Sequence, residues 1–200
     1  IKVDSLPTTA VAGSDQNWCE NVGSISLSAN PVNVGVGSWS GPGTFSSINT
    51  PNTSVTGLAA GLNSFIWSVA NGVCPESKDT IDVVIDALPS LANAGSNQNI
   101  CISNPIANLA ANSPISGTGL WTVINGPGII SNPNTEITTV NNLGVVTNSF
   151  VWTVSNGLCP SSADTIDVLV DELPTISVVA ANQTICENSS GIIVSANQPL

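Results

Sequence analysis

Only five cysteines and a recurring set of aspartates could do chemistry in this 200-residue chain, which has no histidine, no arginine and two lysines, Lys2 and Lys78. General acid–base or nucleophilic catalysis would rest on carboxylates alone. Lys78 is replaced by Ala163 in the copy of its segment described below, so it cannot be a shared catalytic group. The expectation is a protein that is not an enzyme, with no catalytic residues. Asp79, Asp82 and Asp86 recur as Asp164, Asp167 and Asp171. On a terminal strand, Asp82 and Asp86 would point outward and discourage edge-to-edge pairing. Calcium is the cation that such hard oxygen ligands suit, at a junction if anywhere. No stretch has the dense spacing of a dedicated calcium loop, so no metal or cofactor is expected. The cysteines argue for an oxidising compartment, since Cys74 and Cys159 sit in turn sequences where a buried thiol is out of place.

The elements that must position these groups come in copies. Residues 63–86, NSFIWSVANGVCPESKDTIDVVID, return as residues 148–171, NSFVWTVSNGLCPSSADTIDVLVD. Most of the exchanges keep side-chain character, so both segments build the same object. Each reads as a hairpin. Phe65, Trp67 and Val69 alternate along one strand, Asn71-Gly72 supplies the turn, and Ile81, Val83 and Ile85 alternate along the return. Leu6-Pro7, Leu88-Pro89 and Leu173-Pro174 mark one point three times, and Cys19, Cys101 and Cys186 keep the same offsets. The repeats are therefore expected at residues 6–87 and 88–172, with a truncated third at 173–200 and the last strand of a preceding copy at 1–5.

Within repeat one, residues 8–12 read as a first strand, 16–19 as a short segment and 24–29 as a strand with Ile25, Leu27 and Ala29 inward. That last pattern returns at Ile192, Val194 and Ala196. Trp39 lies on a strand closed by Gly41-Pro42-Gly43, and residues 45–48 and 54–58 supply two more before the hairpin. In repeat two, Val123, Ile124 and Asn125 are inserted between Trp121 and Gly126-Pro127-Gly128, which predicts a longer hairpin and an unchanged core. Trp39, Trp67, Trp121 and Trp152 fall within apolar alternation and are read as core. Trp18, replaced by Ile100 and Ile185, is read as a contact at the repeat junction. Helical periodicity is absent. The count is seven strands in about 83 residues, the size and rhythm of an immunoglobulin-like sandwich, so the fold class is all-β with such sandwiches end to end.

Strand parity bears on the cysteines. Cys19 precedes the second strand and Cys74 follows the sixth, and these strands run the same way if three antiparallel strands intervene. A local pair would then be separated by roughly 20 Å or more at about 3.3 Å per residue, against a permitted Cα separation below about 7 Å. This favours a staple between neighbours, Cys19 to Cys159, with Cys74, Cys101 and Cys186 paired to repeats outside these 200 residues. Pairing within repeats, Cys19 to Cys74 and Cys101 to Cys159, stays open as the alternative.

A formal net charge of −11 excludes the basic footprint of a nucleic-acid or anionic-lipid binder. No apolar run approaches a membrane span. With 8% charged residues, Asn, Ser, Thr and Gly must cover the surface, as in secreted β-proteins.

The runs Ala12-Gly13-Ser14-Asp15-Gln16-Asn17-Trp18-Cys19 and Ala94-Gly95-Ser96-Asn97-Gln98-Asn99-Ile100-Cys101, the Trp…Gly-Pro-Gly regions and Asn-Gly-x-Cys-Pro-x-Ser-x-Asp-Thr-Ile resemble the PKD-like repeats of giant surface adhesins of Bacteroidota. These include gliding-motility adhesins exported by the type IX system. The resemblance covers the whole chain. It implies an extracellular, non-catalytic stalk or filament repeat at a bacterial cell surface, whose partners are neighbouring repeats and other copies in a filament. The third copy departs from the pattern, with Val179-Ala180-Ala181-Asn182, which argues against an ion-ligand role for Asp15. Asp4-Ser5-Leu6, Asp79-Thr80-Ile81 and Asp164-Thr165-Ile166 resemble the O-glycosylation signal of the same bacteria, implying modification at Ser5, Thr80 and Thr165. Asn-x-Ser/Thr at Asn52, Asn182 and Asn188 is read as chance. The alternative function is a carbohydrate-binding module that recognises polysaccharide through its loops.

Overall fold

The computed structural model describes residues 3–188 and 190–198. Its first half holds β1 (Gln16–Cys19), β2 (Ser24–Ser28), β3 (Val36–Ser40), β4 (Thr44–Phe45), β5 (Asn52–Thr56), β6 (Gly61–Ala70) and β7 (Ser77–Asp86). The second half repeats the series as β8 (Gln98–Cys101), β9 (Ala107–Ala110), β10 (Thr118–Asn125), β11 (Ile129–Ile130), β12 (Ile137–Asn141), β13 (Thr147–Ser155) and β14 (Ser162–Asp171). The protein is all-β, and its helical content among the described residues is a single 3-10 turn, Glu20–Val22.

Each half is a pair of sheets. In the first, β1-β7-β6-β3 faces β2-β5-β4. In the second, β8-β14-β13-β10 faces β9-β12-β11. The outer strand β1 lies parallel to β7 with Cys19 opposite Asp86, and β8 lies parallel to β14 with Cys101 opposite Asp171. The other pairings are antiparallel.

The period-two alternation of the long hairpins explains the two cores. Phe65, Trp67 and Val69 on β6 and Ile81, Val83 and Ile85 on β7 point inward against Ile25, Leu27, Trp39 and Val55 from other strands. Phe150, Trp152, Val154, Ile166, Val168 and Val170 do the same against Leu109, Trp121 and Val140. No residue is shared between the two clusters. Each large side chain contributes about 1.5–3 kcal/mol on full burial. The tryptophans pair across β3 and β6 and across β10 and β13, with ring centroids 5.2 Å apart in both cases. A Cβ at Gly37 or Gly119 would run into the Trp67 or Trp152 ring, which is why glycine stands two residues before each partner tryptophan. Trp39 Nε1 donates to Pro51 O (3.1 Å) and Trp121 Nε1 to Glu136 O (3.3 Å), whereas Trp67 Nε1 and Trp152 Nε1 are buried without a partner.

Several expectations are corrected. Residues 8–12 form no paired strand. Ala10 and Ala12 are buried, but their N–H groups donate to Ser77 Oγ (2.9 Å) and Asp79 Oδ2 (2.7 Å), and Val11 N donates to Asn30 Oδ1 (2.8 Å). Side-chain oxygens here take the place of a ladder partner. The segment 91–94 is held in the same way by Ser162 Oγ, Asp164 Oδ2 and Asn112 Oδ1. Asp82 and Asp86 guard no edge, because β7 lies between β1 and β6. The insertion Val123–Ile124–Asn125 does not lengthen a hairpin between β10 and β11, which belong to different sheets. It extends β10 along β13 through a bulge between Val123 and Asn125, and Val123 and Ile124 stay exposed.

Beyond β14, residues 173–198 carry one isolated bridge, Val179 to Ala196. Ile192 and Val194 are 52% and 81% exposed, not inward-facing, because no strand of the described chain covers them as β5, β6 and β7 cover Ile25 and Leu27. The last-strand reading of residues 1–5 lies partly outside the described residues. Residues 3–5 belong to no strand.

Candidate functional site

The one covalent cross-link among the described residues joins the two sheet pairs. Cys19, at the end of β1, is bonded to Cys159, with a Cα–Cα distance of 4.9 Å and a sequence separation of 140. Each sheet pair contributes one of the two cysteines. β1 ends beside Asp86, the last residue of β7. From the second half, the turn between β13 and β14 reaches back, closed by Cys159 N donating to Asn156 O (3.0 Å). Cys19 and Cys159 are both 8% exposed. The pairing within repeats is not formed. In the first half Cys74 precedes Ser77, while Cys19 lies opposite Asp86 at the far end of the ten-residue β7. Cys101 and Cys159 are held at opposite ends of β14 in the same way. Parallel pairing of the short outer strand with the return strand is the physical reason.

Polar contacts surround the staple. Leu158 N donates to Asp86 Oδ2 (2.8 Å), and Asn156 Nδ2 donates to Ala87 O (2.8 Å) and Ser116 Oγ (3.2 Å). Cys159 Sγ lies 3.3 Å from Asp86 O. Leu88 N donates to Glu20 Oε2 (3.2 Å). Gly157, with φ +50°, brings its backbone against the Asp86 carboxylate, in space where a Cβ would collide.

The equivalent turn of the first half, residues 71–74, holds a similar segment. Cys74 N donates to Asn71 O (3.1 Å), Asn71 Nδ2 donates to Ser5 O (2.8 Å), and the Cys74 thiol donates to Ser5 O (3.3 Å). Gly72, with φ +55°, packs against the Asp4 carboxylate. Cys74 is half-buried and unbonded to another cysteine, while Cys101 and Cys186 are exposed thiols. The Ser103 hydroxyl, helped by the Ser103 backbone N–H, holds the Cys101 thiol below its ordinary range, and burial and the nearby Asp171 push weakly the other way.

The remaining candidate residues are placed as follows. Trp39, Trp67, Trp121 and Trp152 are all at most 2% exposed. Trp18 is 39% exposed, with Nε1 donating to Gln16 Oε1 (2.8 Å). Ser5, Thr80 and Thr165 are exposed. Asp15 is an acceptor inside its own sandwich, its Oδ1 taking the Asp82 N–H at 2.9 Å, and Asn97 does the same for Asp167 N. No group of three or more acidic, histidine or cysteine side chains is arranged for a metal among the described residues. A cavity of about 200 Å³ at the staple end of the first sandwich is lined by Val22, Ile25, Val55, Leu58 and Ile85, with Glu20 as its ionisable group. No helix is long and apolar enough to cross a membrane.

Sequence reasoning missed Asn156 and Glu20, and it singled out Asp79, Asp86 and Asp164 without finding their role; all five work as partners to backbone. The available signal was Asp-x-Leu-Pro, present at residues 4–7, 86–89 and 171–174, one copy per repeat boundary.

No protein-family model matches the chain, and no curated protein resembles it significantly. Solved structures do. Extracellular domains 3–5 of Drosophila OTK align over 83% of this chain and 60% of theirs at TM-score 0.56 and 8% identity. Immunoglobulin domains 1–4 of Sidekick-1 align over 82% and 48% at TM-score 0.54 and 10% identity. The chain thus spans about half to three fifths of those two. The PKD domain of the KIAA 1837 protein aligns over 42% of this chain and 87% of its own, at 26% identity and TM-score 0.37. At such low identities the likeness to OTK and Sidekick-1 establishes an immunoglobulin-like β-sandwich fold.

Proposed function

We propose that this chain is a run of tandem β-sandwich repeats, set end to end, that forms a non-catalytic stalk or filament segment of a large adhesin on a bacterial cell surface. The observation that carries the reading is the Cys19–Cys159 bond. It spends the oxidised cysteines on fixing one sandwich to the next, which stiffens a spacer and does nothing for a reactive pocket. A disulfide that persists belongs to an oxidising compartment. The paucity of ionisable side chains and the absence of histidine support a mechanical role. Cys101 and Cys74 stand at the positions of Cys19 and Cys159 in their own units, so each is read as half of a further staple, with neighbouring repeats as partners. The motif resemblance to Bacteroidota adhesins supports a type IX-exported, gliding-type surface protein, with Ser5, Thr80 and Thr165 as its exposed glycan acceptors.

Ten-residue strands at about 3.3 Å per residue make each sandwich roughly 35 Å long, so two in line give a rod of roughly 70 Å. Small-angle scattering on the oxidised chain should return a maximum dimension near that value or above, and a glycan array should stay blank. A compact particle, or saturable binding to a polysaccharide, would replace the stalk with a carbohydrate-binding module.

A further inference from the structure

The turn at residues 71–74 grips residues 4–5 although no sandwich stands before them in the described chain and Cys74 carries no disulfide. Asn71 Nδ2 donates to Ser5 O (2.8 Å), the Cys74 thiol to Ser5 O (3.3 Å), and Gly72 makes room for the Asp4 carboxylate. The turn at residues 156–159 grips residues 86–87 in a similar way: Asn156 Nδ2 on Ala87 O (2.8 Å), Gly157 against the Asp86 carboxylate, and Cys159 Sγ at 3.3 Å from Asp86 O, where Cys74 Sγ lies 3.5 Å from the equivalent Asp4 O. Two segments of identical pattern, Asp-Ser-Leu-Pro and Asp-Ala-Leu-Pro, therefore occupy two turns of identical pattern, one with the staple and one without it.

We infer that the Asn-Gly-x-Cys turn is a binding site for the Asp-x start of an extended Asp-x-Leu-Pro segment, and that this non-covalent latch, formed first, brings the Cys19 and Cys159 thiols together. A disulfide oxidant such as glutathione disulfide then joins them, taking up their two electrons and two protons as two molecules of thiol. The division of labour follows from the atoms. The Asn side chain reads the carbonyl after the aspartate, glycine leaves the space that the carboxylate fills, and the N–H of the residue after glycine binds that carboxylate, as Leu158 N binds Asp86 Oδ2 at 2.8 Å. The aspartate is needed as an acceptor oxygen, which an asparagine also has. The inference goes beyond the stalk reading, because a latch between two sandwiches would operate in any protein built from them.

Two measurements on the full chain test it. In a glutathione redox titration, Asp86→Ala should lower the effective concentration of the Cys19–Cys159 pair at least tenfold, while Asp86→Asn should restore it to within about threefold. In the chain with its disulfide intact, Asp4→Ala should speed alkylation of Cys74 at least fivefold relative to the unlatched Cys101 in the same molecule. An effective concentration that Asp86→Ala leaves within twofold overturns the latch as the device that aligns the cysteines. An unchanged Cys74 rate in Asp4→Ala overturns the turn as a binding site that works without the staple.

Discussion

The turns at residues 71–74 and 156–159 share a sequence pattern, a backbone closure and a bound Asp-x segment, and differ in whether a second cysteine arrives. At the second turn Cys19 comes in alongside β7 and the junction is closed covalently. At the first the thiol is left donating to a carbonyl. The comparison separates two jobs that a disulfide-bonded junction usually confounds. Recognition of the strand end is made by an amide, a glycine and backbone, and needs no sulfur–sulfur bond. A covalent closure of the junction is what the bond adds.

The largest change comes from making the two turns alike. Cys19→Ser removes a cross-link between residues 140 positions apart, and loop-closure entropy sets the loss at about 5 kcal/mol at most. Guanidinium unfolding of Cys19→Ser against the oxidised parent should show a midpoint shift of that sign. The freed Cys159 should then alkylate at about the rate of Cys74, since both thiols would sit over the carbonyl of the bound segment's aspartate. A Cys159 rate close to that of exposed Cys101 would break the equivalence of the turns.

A smaller effect comes from the amides. Asn71→Ala loses a hydrogen bond to Ser5 O, whereas Asn156→Ala loses bonds to Ala87 O and Ser116 Oγ. At about 0.5–1.5 kcal/mol per bond, the second substitution should cost about 1 kcal/mol more than the first. Unfolding of both variants in the Cys19→Ser background, where the staple no longer masks the difference, measures it. Equal costs would mean that Ser116 contributes nothing at the second turn.

The sandwiches were legible because burial of a strand face leaves a period of two in the sequence. Phe65, Trp67 and Val69 on one strand and Ile81, Val83 and Ile85 on its return announce both the hairpin and its inner face. The side of the sandwich on which Cys19 lies followed from strand direction. The junction was much less legible, because its chemistry links residues about 70 positions apart whose types have ordinary local explanations. Asp86 at a strand end reads as a guard against edge-to-edge pairing, and Asp79 reads only as one of a recurring set of aspartates until its Oδ2 is seen taking the Ala12 N–H. The segment 8–12 misled for the same reason: its apolar positions look like a strand, but its hydrogen-bond partners are side chains whose proximity only the folded chain supplies.

The smallest predicted effect is the most discriminating about what these carboxylates are for. Asp15 and Asn97 occupy equivalent places, and each gives one side-chain oxygen to a backbone N–H, of Asp82 and Asp167 respectively, at 2.9 Å. If only the acceptor matters, charge at this place is idle, and Asp15→Asn and Asn97→Asp should each leave unfolding stability within about 0.5 kcal/mol of the parent, as surface exchanges that keep their hydrogen bond do. Asp15→Ala removes the acceptor and should cost about 1 kcal/mol or more. A role for Asp15 as an ion ligand predicts another order, with Asp15→Asn as harmful as Asp15→Ala and a loss that depends on added calcium. Thermal melts of the three variants, with calcium and with a chelator, therefore decide whether the first sandwich uses its carboxylate as a charge or, like the second with its amide, as an oxygen in the right place.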